Sequence, residues 1–171
     1  MNNRTNKMVK IALLLAIALI VNYLESLVPL PLPLPGVKLG LANCIGLVVL
    51  CLYTAKDYVM FNILKVFMVA LLRTGFGTSF FIGLSGTLLA TVITLVFYRF
   101  SKASIYGLSV IGAVFHALGQ VLMVIILYNS IYMINYLVLL EITSVVSGLL
   151  TAFLASVTLQ KLPKSMIERA K

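Results

Sequence analysis

His116 and Gln120 stand four residues apart in an otherwise apolar stretch, so any helix through them carries both on one face. Lys65 interrupts a second apolar stretch, Glu141 and Ser144 a third, and Asn43 a fourth. The run Arg73-Thr74-Gly75-Phe76-Gly77-Thr78-Ser79 sets an arginine beside glycines and hydroxyls. That composition suits an anionic group. The guanidinium offers paired N–H donors to a carboxylate or phosphate, and glycine lets backbone N–H groups come close. Arg73 is the leading ligand candidate, with Asn43, Lys65, Thr74, Ser79, His116, Gln120 and Glu141 around it. Each also has a plainer reading. Lys65 and Glu141 could neutralise one another, His116 could be a satisfied core histidine, and Asn43 and Gln120 could be hydrogen-bonding glue between helices.

Catalytic constellations are thin. The 171 residues include one His and four acidic side chains, of which Asp57 is the single aspartate. No phosphate-binding loop, Cys/His metal spacing, serine elbow or dinucleotide fingerprint occurs. Prenyl diphosphate synthesis needs aspartate-rich clusters to hold Mg²⁺ and diphosphate, and one aspartate cannot supply them. The chain is therefore expected not to be an enzyme and to need no metal or cofactor. Any ATP-driven work must come from separate subunits.

The elements that carry these residues are membrane helices. Hydrophobic residues make up 62% of the chain and charged residues 10%, with mean hydropathy +1.14. A soluble domain of this size needs far more charged surface. The expected fold is all-α: a single polytopic membrane domain, residues 1–171, of about six helices. The apolar segments run 8–27, 39–54, 58–72, 80–97, 108–128 and 136–159. The second and third are short for a hydrocarbon core of about 30 Å and could span or form a re-entrant hairpin.

The net charge of +9 would suggest nucleic acid in a soluble protein. Here the basic residues sit at the chain ends and in short connections, so no nucleic-acid partner is expected. With the N-terminus inside, the cytoplasmic set is Arg4, Lys7, Lys10, Lys56, Arg99, Lys102, Lys161, Lys164, Arg169 and Lys171. Lys38 and Arg73 fall outside, and Lys65 lies within a span. All 13 basic residues are then placed, and both termini are expected in the cytoplasm of a multi-pass, bacterial cell-membrane protein. The basic start followed by an apolar run resembles a signal sequence. The poor cleavage region that follows favours an uncleaved first span. On these spans the polar residues collect in the outer half, while the inner halves read as Leu, Val, Ile, Ala and Phe. That asymmetry favours a pocket open at one face over an ion path, which needs polar groups throughout.

Three local features complete the reading. Prolines alternate from Pro29 to Pro35, forbidding a helix and favouring an extended strand, either a stiff tether or a lid over an outward pocket. Ala12 and Ala16, followed by Ala18, give the first helix a small-residue stripe, for packing in the bundle or for docking a partner. Cys44 and Cys51 lie about 10 Å apart on one helix face, too far to bridge, and read as packing residues.

Pro35-Gly36-Val37-Lys38-Leu39-Gly40-Leu41-Ala42-Asn43, the stretch from Leu72-Arg73-Thr74-Gly75 to Thr78-Ser79-Phe80, Ser85-Gly86-Thr87-Leu88, and Gly112-Ala113 to His116 and Gln120 resemble the Gx transporter family. That family also goes by the name heptaprenyl diphosphate synthase component I. It is similar to the substrate-binding S components of energy-coupling factor transporters. The resemblance implies capture of a small micronutrient on the outer side and docking, through small residues of the first helix, to a transmembrane T subunit driven by two ATPases. Ala12 and Ala16 would be the docking face, the proline run the lid, and Lys38, Asn43, Arg73, His116 and Gln120 the pocket lining. The leading expectation is such a substrate-capture subunit for a small anionic or amphipathic metabolite. The alternative is a non-catalytic membrane component of heptaprenyl diphosphate or menaquinone synthesis, and a self-contained channel or secondary transporter is third.

Overall fold

A computed structural model describes residues 3–27 and 40–162. Lys38 and the alternating prolines lie outside the described residues. Six α-helices form: α1 Asn3–Leu27, α2 Leu41–Leu52, α3 Ala55–Val69, α4 Thr78–Phe100, α5 Ile105–Tyr128 and α6 Asn135–Lys161. A π turn, Ala70–Thr74, extends α3, and a 3₁₀ turn, Ile131–Ile134, leads into α6. No strand occurs among the described residues. Each helix coincides with one apolar segment, but starts follow capping chemistry instead of hydropathy. Thr54 and Asp57 close a capping box that starts α3 at Ala55. Ser104 accepts from the Gly107 N–H at 3.2 Å and starts α5 at Ile105.

α1, α4, α5 and α6 are long and apolar enough to cross a bilayer. Their outward faces are aliphatic and aromatic: Leu13, Ile17 and Ile20 on α1, Val138, Ile142 and Val146 on α6 are all exposed. Such apolar surface is stable only against lipid or a partner. The chain is a multi-pass membrane protein.

α2 spans only about 18 Å at 1.5 Å per residue, and two contacts fix where it runs. The Gly40 N–H, just before α2, donates to Glu25 Oε1 in the last turn of α1. Lys7 Nζ lies 2.7 Å from Asp57 Oδ2, joining the second turn of α1 to the first turn of α3. The segment between therefore runs from one end of α1 to the other and does not turn back halfway. The two ends of the bundle are called here the Lys7 end and the Glu25 end. α2 can be short because it is central. Ala42, Ile45 to Leu50 and Leu52 are buried, with Ile45, Val49 and Leu50 against Ile11, Ala18 and Phe61 and Leu47, Val48 and Leu52 against Ala155.

The other half of the bundle is clamped by glycine. A methyl at Gly119 would lie 2.9 Å from both the Gly86 Cα and the Ser85 carbonyl oxygen, and one at Gly148 would lie 2.9 Å from the Val110 Cα. Backbone thus meets backbone where α4 crosses α5 and where α5 crosses α6, the close approach that small residues permit between membrane helices. Ser85 Oγ donates to the Gly119 carbonyl at 2.9 Å across the first crossing, and Ser109 Oγ donates to the Gly148 carbonyl at 2.7 Å across the second.

Candidate functional site

A cavity of about 190 Å³ opens inside the Glu25 end of the bundle. About 10–15 Å³ on this measure accommodates one water, so a small solute fits. α1 contributes Asn22 and Glu25, α2 Asn43, α3 Lys65, α5 His116 and Gln120, and α6 Thr143, Ser144 and Ser147. Thr74 and Ser79 line it at the mouth. Phe80 supplies an aromatic wall, packed edge-on against Phe67 at 5.3 Å and Phe76 at 5.1 Å between ring centres.

Lys65 is the cavity's principal charge. It is buried, and its Nζ donates to Asn43 Oδ1 at 2.7 Å. The carboxylate that shares the cavity with it is Glu25, not Glu141. Glu25 is itself buried, with one carboxylate oxygen held by the Gly40 N–H. A lysine and a glutamate at this depth are expensive in a bilayer unless protein or solute groups satisfy them, so they mark a site.

Of the residues expected at the site, Asn43, Lys65, Thr74, Ser79, His116 and Gln120 do come together around this cavity. Lys38 lies outside the described residues. Arg73 and Glu141 do not line the cavity. Arg73 is exposed, and the π turn is the reason. The Gly75 N–H bonds the Ala70 carbonyl at 2.8 Å, five residues back, and this wider winding advances roughly 85° per residue against about 100° in an α-helix. Counting from buried Ala70, Arg73 lags about 45° behind its α-helical position and swings off the cavity side. Glu141 lies about 60° around α6 from Ser144 and about 100° from Leu140, which do face the cavity. Its Oε2 is buried without a hydrogen-bond partner among the described residues. Ala12 and Ala16 are exposed on α1, whereas Ala18 is fully buried against α2 and α3.

The expected greasy inner half needs correction. A second, deeper cavity of about 60 Å³ continues toward the Lys7 end, sharing Asn43, Lys65, Thr87, Ala113, His116 and Ser147 with the first. Its walls carry Tyr58, Asn62, Thr91, Thr94, Ser109 and Thr151. Asn62 Nδ2 donates to Thr91 Oγ1 at 3.1 Å, and the Ser109 and Thr151 hydroxyls meet at 2.8 Å. Thr94 Oγ1 is buried with no hydrogen-bond partner among the described residues. These residues recur at helical spacing, as Tyr58, Asn62 and Lys65 on α3 and Thr87, Thr91 and Thr94 on α4. That i, i+4, i+7 pattern is visible in the sequence once threonine counts as polar. Asn22 and Glu25 carry no such signal, because they sit in the last turns of a helix, where polar residues commonly end an apolar run.

Comparison with known proteins adds one finding. A family model described as heptaprenyl diphosphate synthase component I matches residues 14–158. The chain belongs to that family. The match runs from the middle of α1 almost to the end of α6, so both cavities lie within the part shared with heptaprenyl diphosphate synthase component I. No curated protein and no solved structure matches the chain.

Proposed function

We propose that this chain is the substrate-binding subunit of an uptake system, which captures a small polar solute in the Glu25-end cavity and is energised by separate T and ATPase subunits. The observation that carries this reading is the buried Lys65, bonded to Asn43 and sharing a solute-sized cavity with Glu25. The six helices all cross the membrane, with both termini in the cytoplasm. Lys7, Lys10, Lys56, Arg99, Lys102 and Lys161 sit at or near helix ends on the Lys7 side, where the positive-inside rule puts the cytoplasm. The cavity then faces outward. The floor polar groups are largely bonded to one another, which supports a closed binding site over a conduit. Exposed Ala12 and Ala16 leave the α1 face free to meet a T subunit. The chain carries out no catalysis itself.

The test is mass spectrometry of material released from the purified protein. A stoichiometric small solute is expected from wild type and a loss of most of it from Lys65→Met. A protein that carries and binds no solute would refute the reading. The family description favours a second reading, a non-catalytic membrane component of heptaprenyl diphosphate synthesis. That reading requires a soluble prenyl synthase to co-purify with the chain and to lose activity when the chain is deleted.

A further inference from the structure

The cavity's two charges are opposite in sign and do not touch. Lys7 and Asp57 form a direct ion pair, whereas among the described residues Lys65 and Glu25 form none within 4.0 Å. Both are buried and both line the same cavity. Each is anchored by a neutral partner, Lys65 by the Asn43 side chain and Glu25 by the Gly40 N–H. Those anchors hold the two charges in place without neutralising either. Buried charges are tolerated when opposite charge and hydrogen bonds compensate them. A singly charged anion would satisfy Lys65 and leave Glu25 repelling it, and a cation would do the reverse. The other polar groups lining the cavity include the amides and hydroxyls of Asn22, Gln120, Thr143 and Ser144, which donate and accept without charge, and the imidazole of His116.

We infer that the captured solute is a zwitterion of about amino-acid size, its anionic group on Lys65 and its cationic group on Glu25. This rests on the solute-capture reading and names its substrate class. Because each end of the solute completes a charge-assisted contact in a water-poor site, masking either end leaves one buried charge unpaired.

The full-length protein, purified in lipid nanodiscs, is first denatured and the released solute identified by mass spectrometry. It is then titrated with the protein amino acids, β-alanine and 4-aminobutyrate, each beside its methyl ester, which keeps only the cation, and its N-acetyl form, which keeps only the anion. A zwitterion should be released, and at least one free amino acid should bind. Its ester and its N-acetyl form should each bind at least about 30-fold more weakly, the lower end of what an unpaired buried charge costs. Lys65→Gln should reduce the parent compound to the affinity of its ester, and Glu25→Gln to that of its N-acetyl form. Gln at position 25 keeps an acceptor for the Gly40 N–H, so this variant retains the anchor if Lys65→Gln fails to fold. A released solute carrying one charge or none, or masked forms that bind as well as the parent, overturns the zwitterion while leaving solute capture intact. Release of no solute together with no binding across the panel overturns both.

Discussion

Gly119→Ala is the sharpest test of how the bundle is held around its cavity. The added methyl would lie 2.9 Å from the Gly86 Cα, 2.9 Å from the Ser85 carbonyl oxygen and 3.1 Å from the Gly86 nitrogen. All three are backbone atoms, so no rotamer change relieves the contact and α4 must move off α5 by roughly 0.5–1 Å to restore ordinary packing. Overpacking of this kind costs about 1–3 kcal/mol. The same movement stretches the 2.9 Å bond from Ser85 Oγ to the Gly119 carbonyl, adding about 0.5–1.5 kcal/mol. Against this, alanine is better than glycine in a helix by about 0.5–1 kcal/mol. The sum is a destabilisation of about 0.5–4 kcal/mol. Gly83→Ala is the control. It makes the same chemical change in a neighbouring helix, with nothing within 4 Å of the added methyl, so only the helix gain of about 0.5–1 kcal/mol remains. The two variants are predicted to move in opposite directions in a reversible denaturing-detergent titration followed by far-UV circular dichroism. Equal midpoints would refute the backbone-to-backbone crossing.

Three further outcomes follow from other contacts. Ser109→Ala removes a buried hydroxyl that serves both the Gly148 carbonyl and Thr151, and should destabilise the protein by about 1–3 kcal/mol in the same titration. Partial burial of the Asp57 carboxyl works to raise its pKa, but hydrogen bonds and charge from Lys7 and Thr54 outweigh it and hold it below the ordinary 3.8. Its contribution is therefore complete above that value and fades as pH falls through Asp57's own lower pKa. Asp57→Asn should lower stability at neutral pH and flatten its pH dependence in the acid range, so that variant and wild type converge as pH falls in a pH series of the same titration. Arg73→Ala, exposed and off the cavity, should leave solute release by mass spectrometry within about twofold of wild type, and loss of the solute would return Arg73 to the site.

The fold was legible because a bilayer makes hydropathy nearly sufficient. All six apolar segments are helices, and the starts of α3 and α5 differ from them only because caps at Thr54 and Ser104 act on backbone N–H groups that hydropathy ignores. The site was legible where a strongly polar residue broke an apolar run, as at Lys65, His116 and Gln120. It was misread in three physical ways. Arg73 and Glu141 were placed by depth along their helices, but a π turn and a helical offset decide azimuth, and azimuth decides what faces a cavity. Thr91, Thr94, Ser109 and Thr151 looked like ordinary membrane residues, because a threonine is nearly apolar in composition and becomes polar only when its hydroxyl points into shared space. Glu25 was hidden at the end of a helix, where a carboxylate is usually solvated.

The π turn at Ala70–Thr74 also separates two jobs along one helix. A π turn holds one residue more than the α turn it replaces, so the mouth can gain or lose a residue there without rotating Tyr58, Asn62 and Lys65 below it. Deleting Leu71 or Leu72 would restore α winding, swing the mouth side chains back around the axis, and leave the floor in register. The rim is thus interchangeable and the floor fixed, and recognition could diversify at the opening by single-residue insertion or deletion while the buried charges stay where they are.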